Sequence, residues 1–428
     1  MELRVPGDKS ISQRGLILAS LAAGTSRIRG LLPGGDTAST ARALRQLGSR
    51  IPPLDPSGAE VRIPGLGLRG LRGPSGPLDL ENSGTGARLL LGVLSGQPLE
   101  AIVTGDESLR RRPMARVTDP LAAMGARFEN LGEPDRLPIR VKGGRLRSFS
   151  YPLPVASAQL KSALLLAGLV GGVDVKLLEP GRSRDHTERM LNGLGIQVVS
   201  GETEGGWSVV LSGVSERIPA LDLDIPGDFS SASFFILYGL LKGGGEPLIL
   251  RDVGLNPTRT GLLPVLARME GVLSAEPRSD LGEGEPSGEL TVFPSELKGV
   301  SLGQDEVPGL IDEVPILAVG AARAQGVSRI TGAGELRVKE TDRIRAVVEN
   351  LRAIGVEAEE LEDGMEIQGT RRPLKGRIKS YGDHRIAMAF GVLGALPENQ
   401  IEIDGKAVAD VSFPGFWELL DTVAVESE

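Results

Sequence analysis

The sequence contains no cysteine and only two histidines, His186 and His384. The absence of cysteine excludes disulfides, thiolate metal ligands and a cysteine nucleophile. Two histidines are too few for a histidine-rich metal centre. The composition therefore favours chemistry that needs neither a metal nor a cofactor.

Long apolar runs are also missing, because none reaches the roughly 18 residues that a membrane-spanning helix requires. The N-terminus MELRVPGDKS lacks the character of a signal or transit peptide. The net charge of -8 argues against a general nucleic-acid binder, so any anion site must be a local cluster of arginine and lysine. We therefore expect a cytoplasmic enzyme with no nucleic-acid or membrane partner.

Six clusters of polar or charged residues each open a run of small apolar residues. Such a run, with a polar or glycine-containing head, predicts a buried helix with an N-cap. Helix N-termini that carry lysine, arginine, aspartate and serine are suited to binding an anion. The six heads are Asp8-Lys9-Ser10, Asn82-Ser83-Gly84-Thr85-Gly86, Ser157-Ala158-Gln159, Gly227-Asp228-Phe229-Ser230-Ser231, Asp312-Glu313 and Gly382-Asp383-His384-Arg385.

Five amphipathic helices, each ending at a glycine and leading into a strand, form a second recurring element. Their spacing of roughly 77 residues predicts about five and a half units in the 428-residue chain. The last unit has its helix, FWELLDTVAV, but no following strand, so we expect the N-terminal segment ELRVPG to complete it. The five glycines are Gly48, Gly125, Gly195, Gly271 and Gly355.

A chain of this length exceeds one ordinary core, so two domains of three units each are predicted. The N-terminal domain would comprise residues 8–225, and the C-terminal domain residues 226–428 together with 1–7. The matching segments RVPGDKS and DIPGDFS predict hinges near 3–7 and 223–227, with the helix heads facing one cleft. Ordinary Pro-Gly turns are the alternative interpretation.

Several of these segments have the chemistry of an anion site. Lys9, Ser10 and Arg14 lie within one and a half helical turns, where they can reach one anion together with the helix dipole. The loop 82–86 exposes backbone amides that can cradle a phosphate, and Arg88 follows it. Alternatives are a glycine-rich turn and, for the charged loops, a solvated face. The charged loops are Ser108–Met114, Arg182–His186 and Lys339–Arg343.

Ten motifs occur in order over nearly the whole chain, and together they resemble the 5-enolpyruvylshikimate-3-phosphate synthase family. The resemblance implies an α/β fold of two similar domains, each with three βαβαββ units, that close on substrate. The closest likeness is to the bacterial variants often grouped as class II. The motifs are GDKSISQR, NSGTGAR, SLRRRPM, SAQLKSALLLAGL, SRDHTERML, GDFSSASFF, IDEVPILAVGAA, RVKETDRI, GDHRIAMA and SFPGF.

The resemblance implies transfer of the enolpyruvyl group of phosphoenolpyruvate to the 5-hydroxyl of shikimate 3-phosphate, on the route to chorismate and aromatic amino acids. Such a site must hold two phosphates and two carboxylates, deprotonate a hydroxyl and protonate a vinyl carbon. The family is usually monomeric. Asp312, near Lys339, is the candidate base, and Glu340, near Lys9, is the candidate for proton transfer to the methylene carbon.

The binding residues are also assigned by resemblance. Those implied for shikimate 3-phosphate are Lys9, Ser10, Arg14, Ser157, Ala158, Gln159, His186, Asp312 and Lys339. Those implied for phosphoenolpyruvate are Lys9, Gly84, Arg112, Gln159, Arg343 and Arg385.

The chain departs from relatives at three positions. Val411 stands where some relatives carry a lysine, His186 where others use tyrosine, and Gln13 where histidine or asparagine is often found. Three rival functions remain open: enolpyruvyl transfer to a nucleotide sugar in cell-wall synthesis, a non-catalytic anion-binding protein, and a structural protein. The opening motif DKSISQR favours shikimate 3-phosphate over the nucleotide sugar.

Overall fold

The computed structural model describes residues 1–55, 57–212, 217–278 and 284–425. Helices and strands alternate along the chain, so the protein has the α/β fold that the sequence predicts. No helix in these described ranges is both long and apolar enough to cross a membrane.

The chain folds into two compact units. One contains the described residues of Gly7–Ile225 and Leu281–Glu285, and we call it the N-terminal unit. The other contains the described residues of Met1–Pro6, Pro226–Asp280 and Pro286–Glu428, and we call it the C-terminal unit. Each unit encloses its own hydrophobic core.

The α-helices carry the labels used below. They are α1 (Lys9–Leu21), α2 (Gly35–Gln46), α3 (Gly84–Ser95), α4 (Glu107–Arg110), α5 (Ala115–Met124), α6 (Ala158–Gly171), α7 (His186–Gly193), α8 (Phe229–Leu241), α9 (Leu262–Arg268), α10 (Val314–Arg323), α11 (Arg343–Ala353), α12 (His384–Gly394) and α13 (Phe416–Val425). Short 3-10 turns lie at Val307–Gly309, Ile311–Glu313, Gly334–Val338 and Lys406–Val411.

The strands are short. They are β1 (Glu2–Leu3), β2 (Thr25–Arg29), β3 (Val61–Pro64), β4 (Leu78–Asp79), β5 (Glu100–Thr104), β6 (Arg127–Asn130), β7 (Ile139–Lys142), β8 (Phe149–Pro152), β9 (Val175–Glu179), β10 (Val198–Thr203), β11 (Gly206–Leu211), β12 (Asp222–Asp224), β13 (Leu248–Gly254), β14 (Val272–Pro277), β15 (Ser287–Phe293), β16 (Ser301–Leu302), β17 (Val327–Ile330), β18 (Glu357–Leu361), β19 (Gly364–Gln368), β20 (Lys375–Ile378) and β21 (Gln400–Ile403).

Within the described residues these strands form six sheets built on one plan. Each sheet contains a parallel pair of strands, and in five of them antiparallel strands follow. The sheet of the sixth repeat holds only the parallel pair β20 and β21, as expected for an incomplete unit. The sheets of the N-terminal unit are β12-β2-β3, β4-β5-β7-β6 and β10-β11-β9-β8, and those of the C-terminal unit are β1-β13-β15-β14, β16-β17-β19-β18 and β20-β21.

The expected place of the N-terminal strand is wrong. β1 does not complete the sixth repeat; it pairs in parallel with β13, with Leu3 opposite Leu250, and so opens the sheet of the fourth repeat. In the same way β12 pairs in parallel with β2 and opens the sheet of the first repeat. The error arose because an extended segment carries no local signal for the sheet edge that it will join.

Five of the six predicted helix heads are capped by a side chain. Asp8, for example, accepts a hydrogen bond from the backbone N–H of Ile11 at 2.8 Å, and Ser83, Ser157, Asp228 and Asp383 cap their helices in the same way. The fifth repeat differs, because a 3-10 turn at Ile311–Glu313 precedes α10 and no side chain caps that helix.

The predicted glycine stops are also found. Four of them, at Gly48, Gly125, Gly195 and Gly355, have a positive φ that other residues rarely adopt. The fourth repeat is an exception, since Glu270 takes the positive φ of 65° directly before Gly271.

Candidate functional site

The head of α1 carries the predicted site residues Lys9 and Ser10 in the N-terminal unit. Lys9 begins the helix, and its ammonium lies 3.1 Å from the carboxylate of Asp36, with both side chains partly exposed. Ser10 follows Lys9, and its backbone carbonyl accepts a hydrogen bond from the guanidinium of Arg14 at 3.0 Å. Lys9 therefore presents a partly solvated charge at a helix N-terminus.

Arg14 is buried, and its guanidinium is held by protein groups on three helices. Its Nε donates to Thr187 Oγ1 at 2.8 Å, and one Nη donates to Ser162 Oγ at 2.9 Å. The pKa of Arg14 is lowered to about 10, mainly because burial disfavours the charged form; Glu188 opposes this shift and Arg184 adds to it. The side chain predicted to bind substrate is thus also a tie between α1, α6 and α7.

The head of α3 brings two guanidinium groups against one glycine. A Cβ atom at Gly84 would lie 3.0 Å from an Nη of Arg112 and 3.1 Å from an Nη of Arg88. Arg112 donates to Asn82 Oδ1 at 2.6 Å, and Arg88 donates to Gln159 Oε1 at 2.7 Å. This cluster of positive charge at a helix N-terminus suits a phosphate or carboxylate.

The head of α6 extends this cluster. Gln159 donates from its amide to Thr85 Oγ1 at 2.9 Å, and so links α6 to the first turn of α3. Ser157 caps α6 by accepting from the backbone N–H of Leu160 at 3.5 Å. Ala158, the first residue of α6, can contribute to a ligand only through its backbone or shape.

Behind the α6 head, a lysine and two glutamates are fully buried together. Lys161 Nζ lies 2.8 Å from Glu179 Oε2 and 2.7 Å from Glu188 Oε1. Burial raises the pKa of Glu188, and the ammonium of Lys161 opposes that rise. We call these three residues the buried triad. The sequence did not indicate this cluster, because the three residues lie on α6, β9 and α7.

His186 is buried at the start of α7, where its Nδ1 lies 2.7 Å from Glu285 Oε1. Glu285 belongs to the same compact unit, although it lies almost a hundred residues further along the chain. The imidazole therefore already faces a carboxylate, which the sequence did not indicate.

In the C-terminal unit, the carboxylate of Asp312 lies among three guanidinium groups. Its oxygens are 3.5 Å from Arg343, 3.7 Å from Arg259 and 3.8 Å from Arg385. Arg385 also donates to the backbone carbonyl of Asp312 at 3.0 Å. These contacts keep the Asp312 carboxylate oriented toward three positively charged groups.

Arg343 forms the centre of this cluster. Its Nε donates to Asp383 Oδ2 at 2.8 Å, and an Nη donates to Glu340 Oε2 at 2.6 Å. Burial opposes its charged form, yet Asp383, Glu340 and Asp312 together raise the pKa of Arg343. Burial likewise favours neutral Asp383, but Arg343 and His384 outweigh it and lower the pKa of Asp383.

Two residues near these clusters were missed as site candidates. Arg88 was noticed only as the residue after a phosphate-cradling loop, yet it lies as close to Gly84 as Arg112 does. Arg259 was not considered, and it is buried with its guanidinium donating to Ser230 Oγ at 2.7 Å. Arg259 is distant in the sequence from Ser230 and Asp312, so no local pattern marks it. Arg88 follows the loop 82–86 closely, but its hydrogen bond to Gln159 joins a distant segment.

The remaining predicted residues have other surroundings. Lys339 has its ammonium 3.9 Å from the carboxylate of Glu335, and its expected approach to Asp312 stays a prediction. Gln13 is buried and donates to Ser83 Oγ at 2.6 Å, which makes it a link between α1 and the α3 head. Val411 ends a 3-10 turn before the buried Phe413.

Comparison with known proteins places these features in a family. The family model for EPSP synthase (3-phosphoshikimate 1-carboxyvinyltransferase) matches residues 1–420. The chain is 44% identical to the 3-phosphoshikimate 1-carboxyvinyltransferase of Bacillus subtilis, over 100% of this chain and 97% of that protein. It is 47% identical to the protein of that name from Alkalilimnicola ehrlichii, over 99% and 93% of the two chains.

Solved structures agree with the sequence comparison. The EPSP synthase from Acinetobacter baumannii superimposes with a TM-score of 0.85 at 39% identity, covering 99% of this chain and 95% of that chain. An enolpyruvyl transferase from Streptomyces tendae has a TM-score of 0.75 at 18% identity, which shows a shared fold. The chain therefore belongs to the EPSP synthase family.

Proposed function

We propose that this protein transfers the enolpyruvyl group of phosphoenolpyruvate to the 5-hydroxyl of shikimate 3-phosphate and releases phosphate. The observation that carries the proposal is the carboxylate of Asp312, held within 4 Å of three guanidinium groups. An anionic substrate that must lose a hydroxyl proton requires a general base surrounded by cations. The names of the relatives support the same reaction.

The cations of the two units suit the charges of these substrates. We assign phosphoenolpyruvate to the Arg88 and Arg112 pair beside Gly84, with Lys9 and with the arginines of the Asp312 cluster. The predicted residues Ser157, Ala158, Gln159, His186 and Lys339 are assigned to shikimate 3-phosphate together with Ser10 and Arg14. Arginine is well suited to this task because its planar donors match carboxylate and phosphate oxygens.

The reaction forms a bond from the 5-hydroxyl oxygen to C2 of phosphoenolpyruvate and breaks the bond from C2 to the phosphate oxygen. Asp312 would accept the hydroxyl proton as the new bond forms. Glu340 would give a proton to the methylene carbon and take one back as phosphate leaves, which restores the double bond. Its hydrogen bond to Arg343 at 2.6 Å orients the carboxyl group for this exchange.

The test of this proposal is phosphate release from phosphoenolpyruvate with two different acceptors. We expect turnover with shikimate 3-phosphate and none with a nucleotide sugar. Activity with the nucleotide sugar alone would replace this function by the cell-wall reaction. Binding of shikimate 3-phosphate without turnover would identify an anion-binding protein instead.

A methyl group at Gly84 should weaken phosphoenolpyruvate use specifically. In Gly84→Ala the new Cβ would press on Arg88 and Arg112 at about 3 Å, so both guanidinium groups must move by a few tenths of an ångström. We expect KM for phosphoenolpyruvate to rise about ten-fold, with KM for shikimate 3-phosphate nearly unchanged.

The matched control for this variant is Gly144→Ala, because a Cβ there meets nothing within 4 Å. Steady-state kinetics of both variants provide the measurement. Equal phosphoenolpyruvate KM values for Gly84→Ala and Gly144→Ala would remove the arginine pair from the proposed site.

We further propose that the segments near 3–7 and 223–227 act as hinges. Two of the passages of the chain between the units, from Pro6 to Gly7 and from Ile225 to Pro226, fall within these segments. Closure would exclude water from the reacting groups. Small-angle scattering should then give a smaller radius of gyration when shikimate 3-phosphate and an unreactive phosphoenolpyruvate analogue are added; an unchanged radius would contradict the hinges.

A further inference from the structure

Glu179, one of the two carboxylates of the buried triad, accepts hydrogen bonds from separate parts of the N-terminal unit. Oε2 accepts from Lys161 Nζ at 2.8 Å. Oε1 accepts from Ser183 Oγ at 2.6 Å and from the backbone N–H of Ser157 at 3.3 Å. Ser157 is the cap of α6, whereas Ser183 lies in the loop before α7. One carboxylate thus ties two segments that are distant in the sequence.

Both segments carry residues assigned above to shikimate 3-phosphate. The α6 head contains Ser157 and Gln159, and the loop leads directly into His186. The position of each segment depends on the orientation of the Glu179 carboxylate, because that group accepts hydrogen bonds from both. Lys161 fixes this orientation from the opposite side, since its ammonium also bonds Glu188 and is fully buried.

The buried triad is poorly explained by stability alone. Removing charged groups from water is costly, and buried ion pairs can often be replaced by apolar residues of similar size without loss of stability. The surrounding helix α6 is rich in leucine and alanine, so an apolar side chain at Lys161 would match its neighbours. An apolar side chain at Lys161, however, could not orient the carboxylate oxygens of Glu179.

We propose that Glu179, oriented by Lys161, is a positioning residue that sets the α6 head and the loop before α7 for binding of shikimate 3-phosphate. This inference rests on the proposed function. Glu179 acts through Ser157 and Ser183 and is not itself assigned to contact substrate.

The first test is Glu179→Gln, which keeps the size of the side chain but replaces one acceptor oxygen by an amide donor. That donor must face either Lys161 or the Ser157 and Ser183 donors, so one of the links is lost. We expect KM and the calorimetric Kd for shikimate 3-phosphate to rise about ten-fold, as for loss of a charged hydrogen bond. KM for phosphoenolpyruvate should stay within about two-fold and kcat within about three-fold of the original protein.

A second variant, Glu179→Asp, keeps the buried charge but shortens the side chain by one methylene. Aspartate cannot reach Lys161 and both serines at once. If Glu179 is a positioning residue, KM for shikimate 3-phosphate should therefore rise although the charge remains. A role in charge balance alone predicts an unchanged KM. This variant keeps the proposal testable if the glutamine variant does not fold.

The matched control is Val175→Ala, on the same buried face of β9 as Glu179. It should lower Tm by leaving a cavity but leave KM for shikimate 3-phosphate unchanged. Shikimate 3-phosphate binding within two-fold of the original protein in every folded Glu179 variant would overturn the positioning role while the proposed function stands. Absence of turnover in the unaltered protein would overturn the proposed function and, with it, this inference.

Discussion

Replacement of Asp312 by asparagine should lower kcat by about a thousand-fold, within the range measured for loss of a general base. Asparagine has nearly the same shape and can still accept a hydrogen bond, but its amide cannot take the hydroxyl proton. The side chain is 16% exposed and lies within 4 Å of Arg259, Arg343 and Arg385. The substitution therefore removes the proposed base while leaving the three neighbouring arginines in place.

The KM values should distinguish chemistry from binding in this variant. We expect KM for both substrates to change by less than about ten-fold, because a residue that acts mainly in the transition state affects kcat most. Asp305→Asn is the matched control, since it is the same chemical change at an exposed position seven residues earlier in the chain. A kcat for Asp312→Asn within about three-fold of the Asp305→Asn value would show that Asp312 is not the base.

Replacement of Arg343 by methionine should destabilise the C-terminal unit by about 3–5 kcal/mol, the range for breaking a buried ion pair by removing one partner. Methionine fills part of the volume, but the carboxylates of Asp383, Glu340 and Asp312 lose their shared cation. Arg345→Met is the control on the same helix. Its side chain is 65% exposed with ion pairs at 3.8 and 3.9 Å, so its change should stay below about 1 kcal/mol.

The loss of stability in Arg343→Met should also depend on pH in a defined direction. In the original protein the pKa of Asp383 is lowered, so its contribution to stability is present above the unfolded value near 4 and is lost as pH falls through the folded pKa. Without Arg343, we expect burial to dominate and to raise the pKa of Asp383. The contribution of Asp383 to stability is then present below its unfolded pKa and is lost as pH rises.

Chemical unfolding of both proteins between pH 4 and 7 provides the measurement. The difference in unfolding free energy should be largest at pH 7 and shrink toward pH 4. A difference that stays constant over this interval would mean that Asp383 does not depend on Arg343 for its charge.

The sequence predicted best those features that depend on neighbouring residues. The capped head of α1 and the glycine stop at Gly48 follow from a few adjacent side chains, and both are found. Asp312 was selected from the same pattern, but its helix begins without a side-chain cap. The 3-10 turn there depends on packing that no short segment encodes.

Partners that are distant in the sequence could not be predicted. Arg343 was assigned to phosphoenolpyruvate by its motif, while its hydrogen bond to Asp383 joins residues 40 positions apart. Lys161 belongs to a run that the sequence predicts to be a buried helix, but its partners Glu179 and Glu188 lie on other elements. Such contacts are set by how the helices and strands pack, and alternation of residue types does not specify that.

The pairing of β12 with β2 has a consequence for synthesis of the protein. The sheet β12-β2-β3 receives its last strand only when Asp222–Asp224 has been made, nearly two hundred residues after β2. Its parallel edge must stay unpaired during that time, and an unpaired edge invites pairing with other chains. β1 waits even longer, for β13 at Leu248–Gly254. The N-terminal repeat is therefore the part of the nascent chain that most needs protection from aggregation.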